Sequence, residues 1–201
     1  MSVFSDIVVP EGGFKVIYVD NPWQFKTFSK KGLDGRPQHY KRMTLKEIKA
    51  LPVLDLAAKD CHLFLWTSAP FLEQAFEVLK AWGFKYSSRA FLWVKLNPTK
   101  ADTFIFADDT FCFGPGYTTR SNPEDCLLAR RGKPKRNSKS VRELMFAARR
   151  EHSRKPDETI RRIEQYADGP YLELFARTTR KNWTTWGNET DKFDTNNGKE
   201  E

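Results

Sequence analysis

The chain has 201 residues, of which 39% are hydrophobic and 14% aromatic, which suits one globular domain and excludes wholesale disorder or a collagen-like repeat. Its net charge of +8 comes from 34 Lys and Arg against 26 Asp and Glu. No apolar run approaches the roughly 18 residues of a spanning helix, and the opening MSVFSDIVVPEGGFK lacks the basic, apolar, small-residue order of a signal peptide, so a cytoplasmic protein without membrane contact is expected.

In chain order, Phe14 to Val19 reads as a strand that ends at Asp20-Asn21-Pro22-Trp23. Thr44 and Glu47 form a capping box that opens a short helix to about Leu51. His62 to Trp66 is a second strand. Pro70 then starts a helix whose Phe71, Ala75, Phe76 and Leu79 share one face until Gly83 stops it. Ala90 to Lys95 and Asp125 to Arg130 are further buried strands. Lys155-Pro156-Asp157-Glu158 reads as a helix start with Pro at the first position and Ile160 and Ile163 as its apolar stripe, followed by a strand at Tyr171 to Ala176. Strands alternating with helices imply an α/β domain with a mostly parallel sheet flanked by helices, and such sheets bind ligands beyond the carboxyl ends of their strands. One domain is expected over residues 1–190, with a frayed tail at 191–201. Residues 97–122 and 131–140 read as long loops.

Charge is unevenly distributed. Residues 130–162 carry 13 basic and 4 acidic side chains, so the rest of the chain is nearly neutral. A run of this kind is often only a solvated face; the favoured reading is a footprint for phosphates, whose neutralisation releases counterions. Cys61, Cys112 and Cys126 are odd in number and never spaced C-x-x-C, and His39, His62 and His152 are scattered, so neither a disulfide nor a metal site is expected.

No G-x-G-x-x-G follows a strand, and no G-x-x-x-x-G-K is present, so a nucleotide-like cofactor needs another anchor. The unusual element is Asp20-Asn21-Pro22-Trp23 at a strand end, where a plain turn competes with a reactive group. Further motifs follow it in one order: His39-Tyr40-Lys41-Arg42-Met43, Leu63 to Trp66, Trp93-Val94-Lys95, Ser153 to Asp157, Glu173 to Arg177, and Asn182 to Glu189. Taken together, the series resembles the adenine N6-methyltransferases related to the catalytic subunit of the messenger-RNA adenosine methyltransferase, above all their short bacterial and phage members. The resemblance spans residues 14 to 189.

It implies an S-adenosylmethionine-dependent enzyme of permuted Rossmann-like fold, located in the cytoplasm of a bacterium or a phage-infected cell. By the same resemblance Asp20 binds the target amine, with Asn21, Pro22 and Trp23 completing the catalytic tetrapeptide. Ser153, Lys155 and Asp20 lie by the methionine end of the cofactor, Phe175 and Arg177 line its pocket, and Asn188 and Glu189 hold its ribose. Tyr40 belongs to a loop over the site. His39, Tyr40, Lys41 and Arg120 are candidate nucleic-acid contacts, with Arg42 beside them, while Trp66, Trp82, Trp93, Trp183 and Trp186 are expected to be structural. The family's tetrapeptide usually has Pro where this chain has Asn21; the role there belongs to a backbone carbonyl, which any residue supplies.

The chemistry suits these residue types. The lone pair of an adenine amine is conjugated into the ring, so a carboxylate and a carbonyl that accept its two N–H bonds free that pair for attack on a sulfonium methyl. Positive charge then develops on nitrogen beside a carboxylate. Inside a duplex the base must first leave the stack. DNA is the favoured substrate and RNA the alternative; a non-catalytic nucleic-acid-binding scaffold and a small-molecule methyltransferase are the readings from other classes. A homodimer is left open.

Overall fold

Burial on both faces places the first strand inside the sheet. In β1 (Phe14–Asp20) every residue from Val16 to Val19 is buried, a pattern that only a covered, interior strand permits. It lies between β2 (Ala57–Thr67) and β6 (Tyr171–Leu174), parallel to both. In this computed structural model, which describes residues 3–24, 42–100, 108–112, 114, 119–151 and 153–194, these strands join β3 (Lys85–Leu96), β4 (Glu124–Arg131), β5 (Leu144–Ala148) and β7 (Trp183–Trp186) in a seven-stranded sheet. The order is β5-β3-β4-β2-β1-β6-β7. Of these, β4 alone runs against its neighbours β2 and β3, while the other six share one direction. The start of β4 therefore lies on the rim where the six others end.

Alternate residues feed two cores. Ile17, Val19, Leu63, Leu65 and Leu174 face a cluster with Ile48 of α1 (Leu45–Lys49), Val53 and Leu56 of α2 (Val53–Leu56), and Ala75, Val78 and Leu79 of α3 (Leu72–Ala81). On the other side Val16, Tyr18, Phe64, Trp66 and Cys126 pack with Ile160 and Ile163 of α4 (Glu158–Tyr166). All three cysteines are buried free thiols. No helix among the described residues is long and apolar enough to cross a membrane.

Thr44 and Glu47 close the expected capping box at α1. Four features differ from expectation. Pro156 precedes the N-cap Asp157 instead of entering α4, so Lys155 lies in extended chain ahead of the helix. β5 and the short β7 were not expected as strands. Residues Asp191–Asp194, expected in the tail, pack onto the domain: Phe193 is buried, and the Asp194 carboxylate accepts bonds from Thr178 and Thr179. The tryptophans fit their expected role, with Trp66, Trp82, Trp93 and Trp183 buried and Trp186 packed against the first cluster.

Ile163 anchors α4 on the sheet and is fully buried. Replacing it with Ala removes three methyl or methylene groups from a packed site and is expected to lower unfolding free energy by about 2–5 kcal/mol in denaturant titration. Lys46→Ala, on the exposed face of α1, is expected to stay within about 0.5 kcal/mol of wild type.

Candidate active site

The turn after β1 is held at several points. The Trp23 N–H donates to the Asn21 carbonyl at 2.9 Å, the Met43 N–H to the Pro22 carbonyl at 2.9 Å, and the Trp23 indole N–H to the Trp66 carbonyl at 3.4 Å. Trp23 also stacks on Phe71, with ring centroids 5.3 Å apart. Its ring is buried in the first core and covered by Phe71 on one side, so it braces the turn. Asn21 and Pro22 are buried as well.

Asp20 ends β1 with its side chain 28% exposed. The Lys155 ammonium reaches across from the extended segment ahead of α4 and donates to Asp20 Oδ2 at 2.6 Å, while also lying 3.2 Å from Glu124 Oε2. Lys95, near the end of β3, completes the series with Nζ 2.5 Å from Glu124 Oε1. Acid, base, acid and base thus alternate along one rim, from β1 through the chain before α4 to the start of β4 and the end of β3. Lys155 also lies over the Trp66 ring, 5.6 Å from its centroid.

Their protonation follows from this order. Burial works against the charge on Lys155, but Asp20 and Glu124 outweigh it and hold the ammonium well above the ordinary lysine range. Burial also disfavours the Glu124 carboxylate; Lys155 and Lys95 prevail, and its pKa falls below the usual value. Asp20 has one ion-pair partner among the described residues, Lys155. Burial therefore wins there and raises its pKa, with Lys155 a partial offset.

The second half of the site lies past β6 and β7. Phe175 follows β6 with a left-handed φ of 60°, and the Ala176 N–H donates to the Trp186 carbonyl at 2.9 Å. Gly187 permits that approach: a Cβ there would stand 2.5 Å from the Ala176 carbonyl oxygen. Arg177 pairs with Glu189 at 3.3 Å, Lys192 with Glu189 at 2.6 Å, and both Arg154 and Arg177 lie over the Phe193 ring. Arg177 is close enough to Asp20 to lower its pKa. The two ends of the chain meet at this rim.

Of the residues singled out from sequence, Asp20, Asn21, Pro22, Trp23, Lys155, Phe175, Arg177 and Glu189 lie on or beside the rim, with Asn188 exposed next to Glu189. Ser153 adopts a left-handed φ of 63° two residues before Lys155. His39, Tyr40 and Lys41 lie outside the described residues. Arg120 is exposed, two residues before Asn122, whose side chain bonds the backbone of Lys95 and the carbonyl of Cys112. Sequence reasoning missed Glu124 and gave Lys95 no role. The signal available was an acid opening an apolar strand, and its meaning depended on knowing that the strand is reversed.

The basic block does not form one grip. Lys155 alone enters the charged network, while Arg150, Arg154, Arg161 and Arg162 pair with Asp157, Glu151 and Glu158. Arg131 donates to the carbonyls of Leu54 and Ala57 at the opposite rim.

Six co-directed strands with one reversed among them form an α/β sheet that carries a carboxylate at the end of an interior strand, where ligands bind in such folds. The model of the MT-A70 family matches residues 14–189, and the chain belongs to that family of N6-adenine methyltransferases. It is 30% identical over 200 residues to the Type II methyltransferase M.MunI of Mycoplasma sp, covering 90% of this chain and 79% of that protein. It is 29% identical to the human N(6)-adenine-specific methyltransferase METTL4, covering 90% of this chain and 38% of the relative. The human N(6)-adenosine-methyltransferase catalytic subunit METTL3 is 30% identical over 90% of this chain and 29% of its own length. The chain thus spans well under half of either human protein.

Lys155→Met removes the shared cation. The pKa values of Asp20 and Glu124 are both expected to rise, followed through their carboxyl carbon shifts in a pH titration. Unchanged values would mean that the lysine does not set the charge state of the pair.

Proposed function

We propose that this protein transfers a methyl group from S-adenosylmethionine to the exocyclic N6 amine of adenine in DNA. The observation that carries the reading is the Asp20 carboxylate at the end of β1, bound by Lys155 through Oδ2 only. Its Oδ1 has no hydrogen-bond partner among the described residues. One oxygen orients the group, and the other is left to accept an amine N–H.

The donor set suits the cofactor. An amino-acid carboxylate asks for a cation, and Lys155 is one, with Ser153 close by in sequence; ribose hydroxyls ask for an acceptor, and Glu189 with Asn188 provides it at the end of β7. Phe175 and Arg177 lie between those two positions in the strand order. When bound, S-adenosylmethionine supplies an electrophilic methyl on sulfur.

The chain's own groups prepare the nucleophile. Asp20 accepts one amine N–H, and the Asn21 carbonyl, which already takes the Trp23 N–H, has a second lone pair for the other. These two acceptors localise the nitrogen lone pair and offset the positive charge that grows on nitrogen during attack. Lys155 keeps Asp20 fixed while leaving one oxygen open, and Glu124 and Lys95 hold Lys155 in turn. The methylated ammonium is acidic enough to lose its proton without a strong base.

DNA is favoured over RNA because the similarity to M.MunI extends over most of both chains, whereas the matches to the adenosine methyltransferases cover a minor part of those proteins.

Transfer of labelled methyl from S-adenosylmethionine to single- and double-stranded DNA and RNA, followed by nucleoside digestion, tests the reading. N6-methyladenine in DNA is expected; product in RNA alone reassigns the substrate, and no product with any polymer supports the scaffold reading. Asp20→Ala is expected to cut kcat at least about a hundredfold with nucleic-acid binding retained. Because the carboxylate form accepts the N–H, activity is expected to fall as pH drops through the Asp20 pKa, with the acid limb above the ordinary 3.8 of aspartate. A limb at or below that value would show that burial does not govern the group.

A further inference from the structure

From Arg130 to Arg142 the chain has seven basic residues and no acidic one. Its backbone is tied down along this length. Gly132 takes a left-handed φ of 65° where a Cβ would collide with Asp60 and the Lys59 carbonyl, and the Lys133 N–H donates to Asp60 Oδ1 at 2.6 Å. His62 Nε2 bonds the Lys135 carbonyl at 3.1 Å. The Asn137 N–H donates to the Tyr166 carbonyl and its side-chain amide to Asp168, both at 2.7 Å. Arg162 caps the end of the segment by donating to the carbonyls of Arg142 and Leu144 at 2.6 and 2.9 Å.

The side chains are treated differently from the backbone. Lys133, Lys135, Arg136, Lys139 and Arg142 are all exposed, and none forms an ion pair with any described residue. The nearby acids are occupied, Asp60 and Asp168 by this same backbone and amide, and Glu143 by Arg89. A merely solvated run needs no such anchoring. Here a fixed backbone presents a row of uncompensated cations.

The row also has a direction. It starts beside Arg130, which pairs with Lys85 at the rim opposite the Asp20 cluster, and leads to β5, which pairs with the carboxyl half of β3. β5 in turn ends at Ala148, and exposed Arg149 follows it, a few residues before Ser153 and Lys155. We infer that the connection between β4 and β5 is a second polynucleotide contact, a phosphate track that runs from the far rim of the sheet towards the catalytic rim. The inference rests on the nucleic-acid reading above and adds to it where the flanking backbone is held.

Dimensions give the test. The eight residues of β4 separate the two rims by about 23 Å at the rise of an extended strand, which is about seven base pairs of B-form duplex. DNA that extends beyond the target by more than that distance reaches the track; shorter DNA does not.

The experiment compares wild type with the combined variant Lys133→Ala, Lys135→Ala, Arg136→Ala and Lys139→Ala, which leaves every backbone anchor in place. Binding of a fluorescent duplex of about 30 base pairs is followed by anisotropy from about 50 to 200 mM salt, beside a duplex of about 10 base pairs with the same central adenine. On the long duplex the variant is expected to bind at least about tenfold more weakly, with a log–log salt slope shallower by about 3 to 4, and on the short duplex to match wild type. Wild-type affinity and slope on the long duplex, or an equal loss on both lengths, would overturn the inference. Binding is read without turnover: a wild type that methylates nothing yet loses long-duplex affinity in the variant would keep the track and remove the catalytic reading.

Discussion

An ammonium set between two carboxylates joins three distant parts of this chain. Lys155 meets Asp20, 135 residues earlier, and Glu124, so the first strand, the reversed fourth strand and the segment before the last helix are fixed to one another by a single charge. An isolated ion pair of this burial would barely repay its desolvation. Here each ion has more than one compensating contact: Glu124 has two lysines, Lys155 has two acids and an aromatic face, and Asp20 has Lys155 with Arg177 nearby. The result is an asymmetry between two carboxylates that share one lysine, with Glu124 pushed down and Asp20 pushed up.

Strand direction makes that network geometrically available. Were β4 parallel to its neighbours, Glu124 would open at the opposite rim, beside the region now occupied by Arg131 and Lys133. Its reversal brings an acid to the rim of Asp20 and sends the following basic connection to the far one. One topological feature thus positions both the charge that steadies Lys155 and the row of cations between β4 and β5.

Asp20 was legible because a hydrophobic strand ending in Asp-Asn-Pro is a local pattern, and Lys155, Glu189 and Arg177 were legible through motifs in a fixed order. Glu124 was not, since local sequence carries the existence of a strand and not its direction. β5 was hidden because LMFAA sits inside a charged run and half of it is exposed, with Leu144 and Phe146 facing solvent. β7 is four residues, WTTW, whose strand state comes from pairing with β6 and from the glycine that follows. In the basic block, charge counting treats as one unit what the fold divides into a part paired with Asp157, Glu151 and Glu158 and a part with no ion pair among the described residues.

The substitution of Asn21 for the usual proline shows how the turn keeps its geometry by other means. A proline would fix φ through its ring. Asn21 has no such ring, and its side-chain amide is buried with neither oxygen nor nitrogen hydrogen-bonded among the described residues, at a cost of about 1–3 kcal/mol. Its carbonyl is nevertheless held from three directions: the Trp23 N–H bonds it directly, Pro22 confines Asn21 to extended backbone, and Trp23 is clamped between Phe71 and the Trp66 carbonyl. In the proposed reaction the buried Trp23 therefore has an indirect part, holding in place a carbonyl that belongs to the residue two positions before it.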